Sequence, residues 1–157
     1  MALEIERKFL LKNESWRTQV SQSHSLKQGY LASSPLPTVR IRTSDDSAYL
    51  TIKGNAVGIS RVEFEYEVPM EEALELLKLS VHTPIEKTRN IVQAEGHFWQ
   101  IDVFEGANRG LVLAEVELRS EDEQVVLPSW IGAEVSEDPR YFNSHLSQHP
   151  FSNWKKK

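Results

Sequence analysis

The sequence predicts an α+β fold, mostly antiparallel strand with a few short helices against it. Three observations carry this reading. Apolar and polar residues alternate with a period of two in segment after segment, which is the strand signal. Only three stretches show helix signals. The polar side of the alternation is built heavily from Glu, Asp, Arg and Lys.

Taken in order, "LEIERKF" (3–9) puts Leu3, Ile5 and Phe9 on one face and Glu4, Glu6 and Lys8 on the other, with Arg7 the exception. Residues 13–21 read as a short helix, with Asn13 or Ser15 as cap and Trp16 and Val20 four apart. Residues 33–37 are a turn-rich break rather than a domain boundary. In "VRIR", Arg40 and Arg42 oppose Val39 and Ile41; in "YLTIK", Thr51 and Lys53 oppose Leu50 and Ile52. Gly54 and Gly58 flank a hairpin loop, and no P-loop pattern occurs. In "RVEFEYEV", Arg61, Glu63, Glu65 and Glu67 oppose Val62, Phe64, Tyr66 and Val68. A second helix is expected over 69–79, with Pro69 first, acids in the first turn, and Leu74, Leu77 and Leu79 as its apolar side. "EKTRNI" places Lys87 and Arg89 on one face. "FWQIDVF" sets Gln100 and Asp102 against Trp99, Ile101 and Val103, and "LAEVELR" sets Glu115, Glu117 and Arg119 against Ala114, Val116 and Leu118. Asp138-Pro139 opens a third helix over 138–147, ahead of Pro150. The terminal Lys155-Lys156-Lys157 reads as a solvated end.

The bulk numbers bound the function. A chain of 157 residues is read as one domain over 1–157. The net charge of −5 argues against a general binder of nucleic acid or of membrane surfaces. The absence of cysteine excludes disulfides, thiolate metal sites and cysteine nucleophiles, and fits a reducing compartment. Without an apolar signal core or a run long enough to span a membrane, a soluble cytoplasmic protein is expected.

Any one charged strand face is ordinarily just wet. The repetition across strands favours a second reading, a closed sheet with the charged face inside. Lys8, Arg40, Arg42, Lys53, Arg61, Lys87 and Arg89 would then face Glu4, Glu6, Glu63, Glu65, Asp102, Glu115 and Glu117 across a tunnel. So many confined charges are costly unless paired, hydrated or neutralised by ligand. A polyanion would answer the basic side, since Arg and Lys suit phosphate oxygens. A hard cation, Mg²⁺ or Mn²⁺, would answer clustered carboxylates. The pairs Glu4/Glu6 and Glu115/Glu117 each present two carboxylates on one strand face.

The same segments resemble a known family. "EIERKF" resembles the E-x-E-x-K signature of the CYTH superfamily, the triphosphate tunnel metalloenzymes. "KQGYL" (27–31), "VRIR", "TIKG", "SRVEFEYEV", "EKTRN", "IDVFEG", "GLVLAEVEL" and "EDPRYFNSHL" follow in the family's order. The resemblance implies an eight-stranded antiparallel barrel around a tunnel, in a homodimer, with divalent-metal chemistry on a triphosphate. By motif position, Glu4, Glu6, Glu115 and Glu117 resemble metal carboxylates, with Glu63, Glu65 and Asp102 as further acidic wall. Lys8, Arg40, Arg42, Lys53, Lys87 and Arg89 resemble phosphate ligands, joined by Lys27 and Arg61. Lys8, Lys53, Lys87 and Tyr30 are the catalytic candidates, Tyr30 at the tunnel mouth or as a wall residue. The expected nucleophile is water activated by the metal, with a nearby carboxylate or lysine assisting. Compact members opening this way most resemble inorganic triphosphatases, which split triphosphate into diphosphate and phosphate. The fold also hosts class IV adenylate cyclases and thiamine and nucleoside triphosphatases, and a non-catalytic polyphosphate- or nucleotide-binding module is a further alternative. The five histidines show no metal spacing, the four tryptophans read as packing residues, and Tyr141 and Asn143 read as anchors of the last helix.

Overall fold

The alternating strands close on themselves. The computed structural model describes residues 3–32 and 37–154, so the turn-rich 33–36 and the tail 155–157 lie outside the described residues. The strands are β1 (Leu3–Leu11), β2 (Val20–Ala32), β3 (Thr38–Ser44), β4 (Ser47–Val57), β5 (Ser60–Val68), β6 (Ile85–Ala94), β7 (His97–Phe104), β8 (Val112–Glu117) and β9 (Ile131–Glu134). Their order is β5-β4-β3-β2-β6-β7-β8-β1, and β1 pairs with β5 to complete an eight-stranded antiparallel barrel. β9 pairs with the end of β1 at Phe9 and Leu11, outside the ring. β2 and β9 lack the clean alternation of the others: β2 opens on the polar run "SQSHS", and β9 is four residues with a glycine.

The helical elements are shorter than their sequence signals. The first is a 3-10 turn, Ser15–Gln19, because Val20 already turns extended to enter β2. α1 (Met70–Leu77) is the expected second helix, but its buried side is Ala73 and Leu77, four apart, whereas Leu74 and Leu79 are exposed. The third splits. Asp138 caps a 3-10 turn over Pro139–Tyr141, Phe142 is extended, and α2 (Asn143–Gln148) follows.

Apolar packing lies on both sides of the barrel wall. Outside, Ile5, Phe9, Trp16, Val92, Trp99, Ile101, Val116 and Trp130 form one cluster, with Trp99 edge-on to both Phe9 and Trp130. A second outer cluster seats Ala73 and Leu77 of α1 on Ile41 and Ala48. Inside, Tyr30, Ile85, Phe104, Leu111 and Leu113 pack against Tyr141 and Leu146, so the C-terminal segment fills part of one end of the barrel. The charged side chains therefore occupy only the remaining interior.

One glycine is fixed by the outer packing. A Cβ on Gly29 would stand 2.7 Å from Ser80 Oγ and 3.3 Å from Leu77 Cδ2. Gly29→Ala is expected to destabilise the fold by about 1–3 kcal/mol, through displacement of the segment after α1. Chemical denaturation checks this, and a midpoint equal to wild type counts against it.

Candidate active site

Strand parity delivers the site. Glu4, Glu6 and Lys8 of β1, Arg40 and Arg42 of β3, Thr51 and Lys53 of β4, Arg61, Glu63 and Glu65 of β5, Arg89 of β6, Gln100 of β7, and Glu115 and Glu117 of β8 line one interior chamber of about 260 Å³. Tyr30, Ser136, Phe142, Asn143 and Ser144 also line it.

The basic side is incompletely neutralised. Among the described residues neither Arg42 nor Arg61 has a carboxylate within 4.0 Å. The Arg42 Nε donates to Gln28 Oε1 at 2.9 Å. The Arg61 guanidinium lies 5.6 Å from the centre of the Phe142 ring. Burial, then Arg40 and Arg89 beside it, push the Arg42 guanidinium down to about 9. Arg40 donates through Nη2 to Thr51 Oγ1 at 3.2 Å and lies 4.0 Å from Glu65, while its buried Nε has no partner among the described residues. Such a cluster gains from an anion with several oxygens.

The acidic side has the opposite imbalance. Glu6 stands directly across from Glu117 in the β1–β8 ladder. Like charges so placed repel, and among the described residues neither has an ion-pair partner. Burial, with Glu115 and Glu4 nearby, raises the Glu6 carboxyl to about 8. Burial and Glu4 raise Glu117 as well. Glu4 is raised chiefly by burial, against the pull of Lys53, whose Nζ lies 3.0 Å from Glu4 and 3.3 Å from Glu63. Burial alone would raise Glu115, but Lys8 at 3.7 Å and Arg89 bring it down to about 2.

These carboxylates fit a hard divalent cation. They are oxygen donors on adjoining strands, and the Glu6–Glu117 pair is destabilised until positive charge arrives. Among the described residues no three acidic or histidine side chains are yet gathered into a coordination sphere, since Glu4 and Glu115 lean toward lysines. Glu4, Glu6, Glu115 and Glu117 are the residues that would hold the ion.

Three expected site residues are not brought to the chamber. Lys27 lies on the outer face, half exposed and 3.7 Å from Glu86, because Gln28 and Tyr30 take the inward parity of β2. Lys87 and Asp102 point inward but sit in the packed part of the interior beside the chamber, both fully buried and 2.7 Å apart. Asp102 also accepts from Arg89 Nε at 2.8 Å and Nη2 at 2.9 Å, so its oxygens are engaged by cations already. Tyr30 both lines the chamber and packs in the inner apolar cluster.

The C-terminal segment supplies partners that strand patterns could not show. The Lys8 Nζ donates to the Tyr141 carbonyl at 3.0 Å, and the Lys87 Nζ donates to Asn143 Oδ1 at 3.0 Å. Asn143 is thus a chamber residue as well as an anchor. Gln28, buried behind Arg42, was equally invisible: a glutamine in a mixed pentapeptide gives no periodic signal.

Comparison with known proteins agrees with this geometry. The CYTH domain family model matches residues 2–148. The inorganic triphosphatase of Acetivibrio thermocellus is 44% identical over 156 residues, spanning 99% of each chain. The inorganic triphosphatase of Nitrosomonas europaea is 34% identical over 149 residues, 92% of this chain and 96% of that one. The crystal structure of the inorganic triphosphatase NE1496 superposes with a TM-score of 0.68 at 32% identity, covering 94% of this chain and 95% of the other.

Proposed function

The chain belongs to the CYTH domain family, and from that premise we propose that it hydrolyses inorganic triphosphate to diphosphate and phosphate in the barrel chamber. The observation that carries this is the double imbalance of the interior: among the described residues Arg42 and Arg61 have no carboxylate within 4.0 Å, while Glu6 and Glu117 have no ion-pair partner. A phosphate chain together with a divalent cation discharges both walls at once. The volume supports a bare phosphate chain. At about 260 Å³ the chamber is below the ~300–1,000 Å³ usual for drug-sized organic ligands.

Arg40, Arg42, Arg61 and Arg89 are assigned to the phosphate oxygens, and Lys8 and Lys53 to charge that develops as the bond breaks. Mg²⁺ or Mn²⁺ is the proposed cation, held by Glu4, Glu6, Glu115 and Glu117. When bound, it supplies charge neutralisation at the phosphate oxygens and acidification of the attacking water. The reaction forms one bond from water oxygen to the terminal phosphorus and breaks its bond to the bridging oxygen, which leaves with diphosphate. Lys8 and Lys53 each sit against carboxylates now, so occupancy of the chamber redistributes them from acid wall to substrate.

The test is phosphate release from tripolyphosphate, ATP, thiamine triphosphate and diphosphate, each with Mg²⁺, Mn²⁺ or EDTA. Rapid metal-dependent release from tripolyphosphate, slow from the others, is expected. No release from any of them overturns the reading, and cyclic AMP from ATP would replace it with a cyclase.

A homodimer is proposed as well. Leu3, Val62, Phe64 and Tyr66 are 49%, 37%, 43% and 56% exposed on the outer face of β5 and the adjoining start of β1. Such an adjoining apolar set suits an interface. Sedimentation should give twice the chain mass, falling to one chain mass for Phe64→Glu; a wild-type monomer counts against it. The lack of cysteine supports a reducing, cytoplasmic setting.

A further inference from the structure

We infer that Gln28 is a positioning residue for triphosphate binding, setting the plane of the Arg42 guanidinium so that its fork faces the chamber. The inference rests on the proposed function for its substrate, and on three observations for its substance. First, Gln28 lies directly across from Arg42 in the β2–β3 ladder, and its Oε1 accepts from Arg42 Nε at 2.9 Å. Second, Arg42 makes no other hydrogen bond or ion pair among the described residues, so this bond alone orients the guanidinium from behind. With Nε engaged, the two Nη groups are left for a ligand, and they are the atoms that bind two oxygens side by side. Third, Gln28 is fully buried and its Nε2 has no partner among the described residues.

The third observation separates positioning from packing. A buried amide with an unpaired donor lowers stability relative to an apolar side chain of the same size. If Gln28 served only to fill space, methionine would fill it as well without that penalty. A polar atom at this point acts on Arg42 or it merely costs. The amide's orientation is also settled by the contact, because a flipped amide would set its NH₂ against the Arg42 N–H. Gln28 does not line the chamber, so its effect on substrate passes through Arg42.

The test is a double-mutant cycle of Gln28→Met and Arg42→Met, read as KM and kcat for tripolyphosphate with Mg²⁺ and as thermal midpoints. Gln28→Met should raise KM about tenfold, the scale of one lost charge-assisted bond, with kcat within about threefold and a lower thermal midpoint, because Arg42 Nε is left without its acceptor. In the Arg42→Met background the same change should alter KM less than about twofold. Equal KM effects in both backgrounds, or a fall in kcat at constant KM, overturn the proposal. Gln28→Asn keeps a buried amide but is one methylene too short to reach Nε, and it must reproduce the KM rise; a wild-type KM overturns the proposal. Should the wild type not turn over tripolyphosphate, the proposed activity falls by itself. The cycle is then read by calorimetry of tripolyphosphate binding to the metal-free protein, where absence of coupling overturns the role of Gln28.

Discussion

Glu6→Gln should lower tripolyphosphate turnover by at least about a hundredfold while leaving the metal-free protein no less stable at pH 8. The two effects have one cause. Glu6 faces Glu117 with no ion-pair partner among the described residues, and its carboxyl is raised to about 8 from an ordinary 4.5. Between those values the folded chain keeps a proton that the unfolded chain has lost. Metal-free stability therefore falls as pH rises from about 4.5 to about 8. Gln removes that slope, because it cannot ionise. On the proposed metal set it also removes a charged donor for the divalent cation, hence the expected loss of activity. Cation binding needs the carboxylate, so affinity should climb with pH up to about 8, each binding event below that pH releasing about one proton. Melts at several pH values, and calorimetry in two buffers of different ionisation heat, read these effects. Near-wild-type turnover in Glu6→Gln would remove Glu6 from the metal set.

Asp102→Asn should cost about 3–5 kcal/mol of stability, the loss expected when one partner of a buried ion pair is neutralised. Asp102 is fully buried and holds two cations, Lys87 at 2.7 Å and Arg89 through two hydrogen bonds. Burial alone would raise its carboxyl, but Arg89 and Lys87 together hold it well below the usual range. Burial, with Arg89 and Arg42 nearby, pushes Lys87 down to about 7 even with Asp102 attached. Without the carboxylate, Lys87 would lose its charge and Arg89 its anchor. The sign with pH follows from the depressed acid: this stabilisation is complete above pH ~4 and fades only as pH falls through the folded value. Urea unfolding at pH 7 should show a lower midpoint with an unchanged slope. A loss under about 1 kcal/mol would mean that the triad is hydrated rather than dry.

Parity explains what could be read from sequence and what could not. The alternation in "LEIERKF", "RVEFEYEV" and "LAEVELR" names Glu4, Glu6, Lys8, Arg61, Glu63, Glu65, Glu115 and Glu117, which line the chamber, but also Glu67 and Arg119, which do not. It fails at "KQGYL", where neither parity is uniformly apolar. Lys27 shares its face with Gly29, and Gly29 has no side chain because the segment after α1 passes over it. Depth along the barrel is equally hidden. Lys87 and Asp102 have the inward parity, but they lie level with Phe104 and Leu113, where the interior is packed rather than open. Cross-strand partners such as Glu6–Glu117 belong to the register of two distant segments. The third helix was legible only at its cap, since nothing local says that Phe142 stays extended and turns Asn143 toward Lys87.

The three-way pairing of β1 bears on how the chain acquires its shape. β1 is made before every other strand, yet its partners are residues 60–62, 113–117 and 131–134. During synthesis it must wait for most of the chain to emerge before it can dock. Hairpins such as β3–β4 and β6–β7 can zip locally in the meantime, but the ring cannot shut until the first strand meets the last ones. Folding dominated by such distant pairings belongs to the milliseconds-to-seconds regime. The unpaired edges exposed meanwhile are open to foreign strands. Two carboxylates and an ammonium along β1 make that waiting edge a poor aggregation template, so the charges proposed to act on triphosphate also guard the nascent chain.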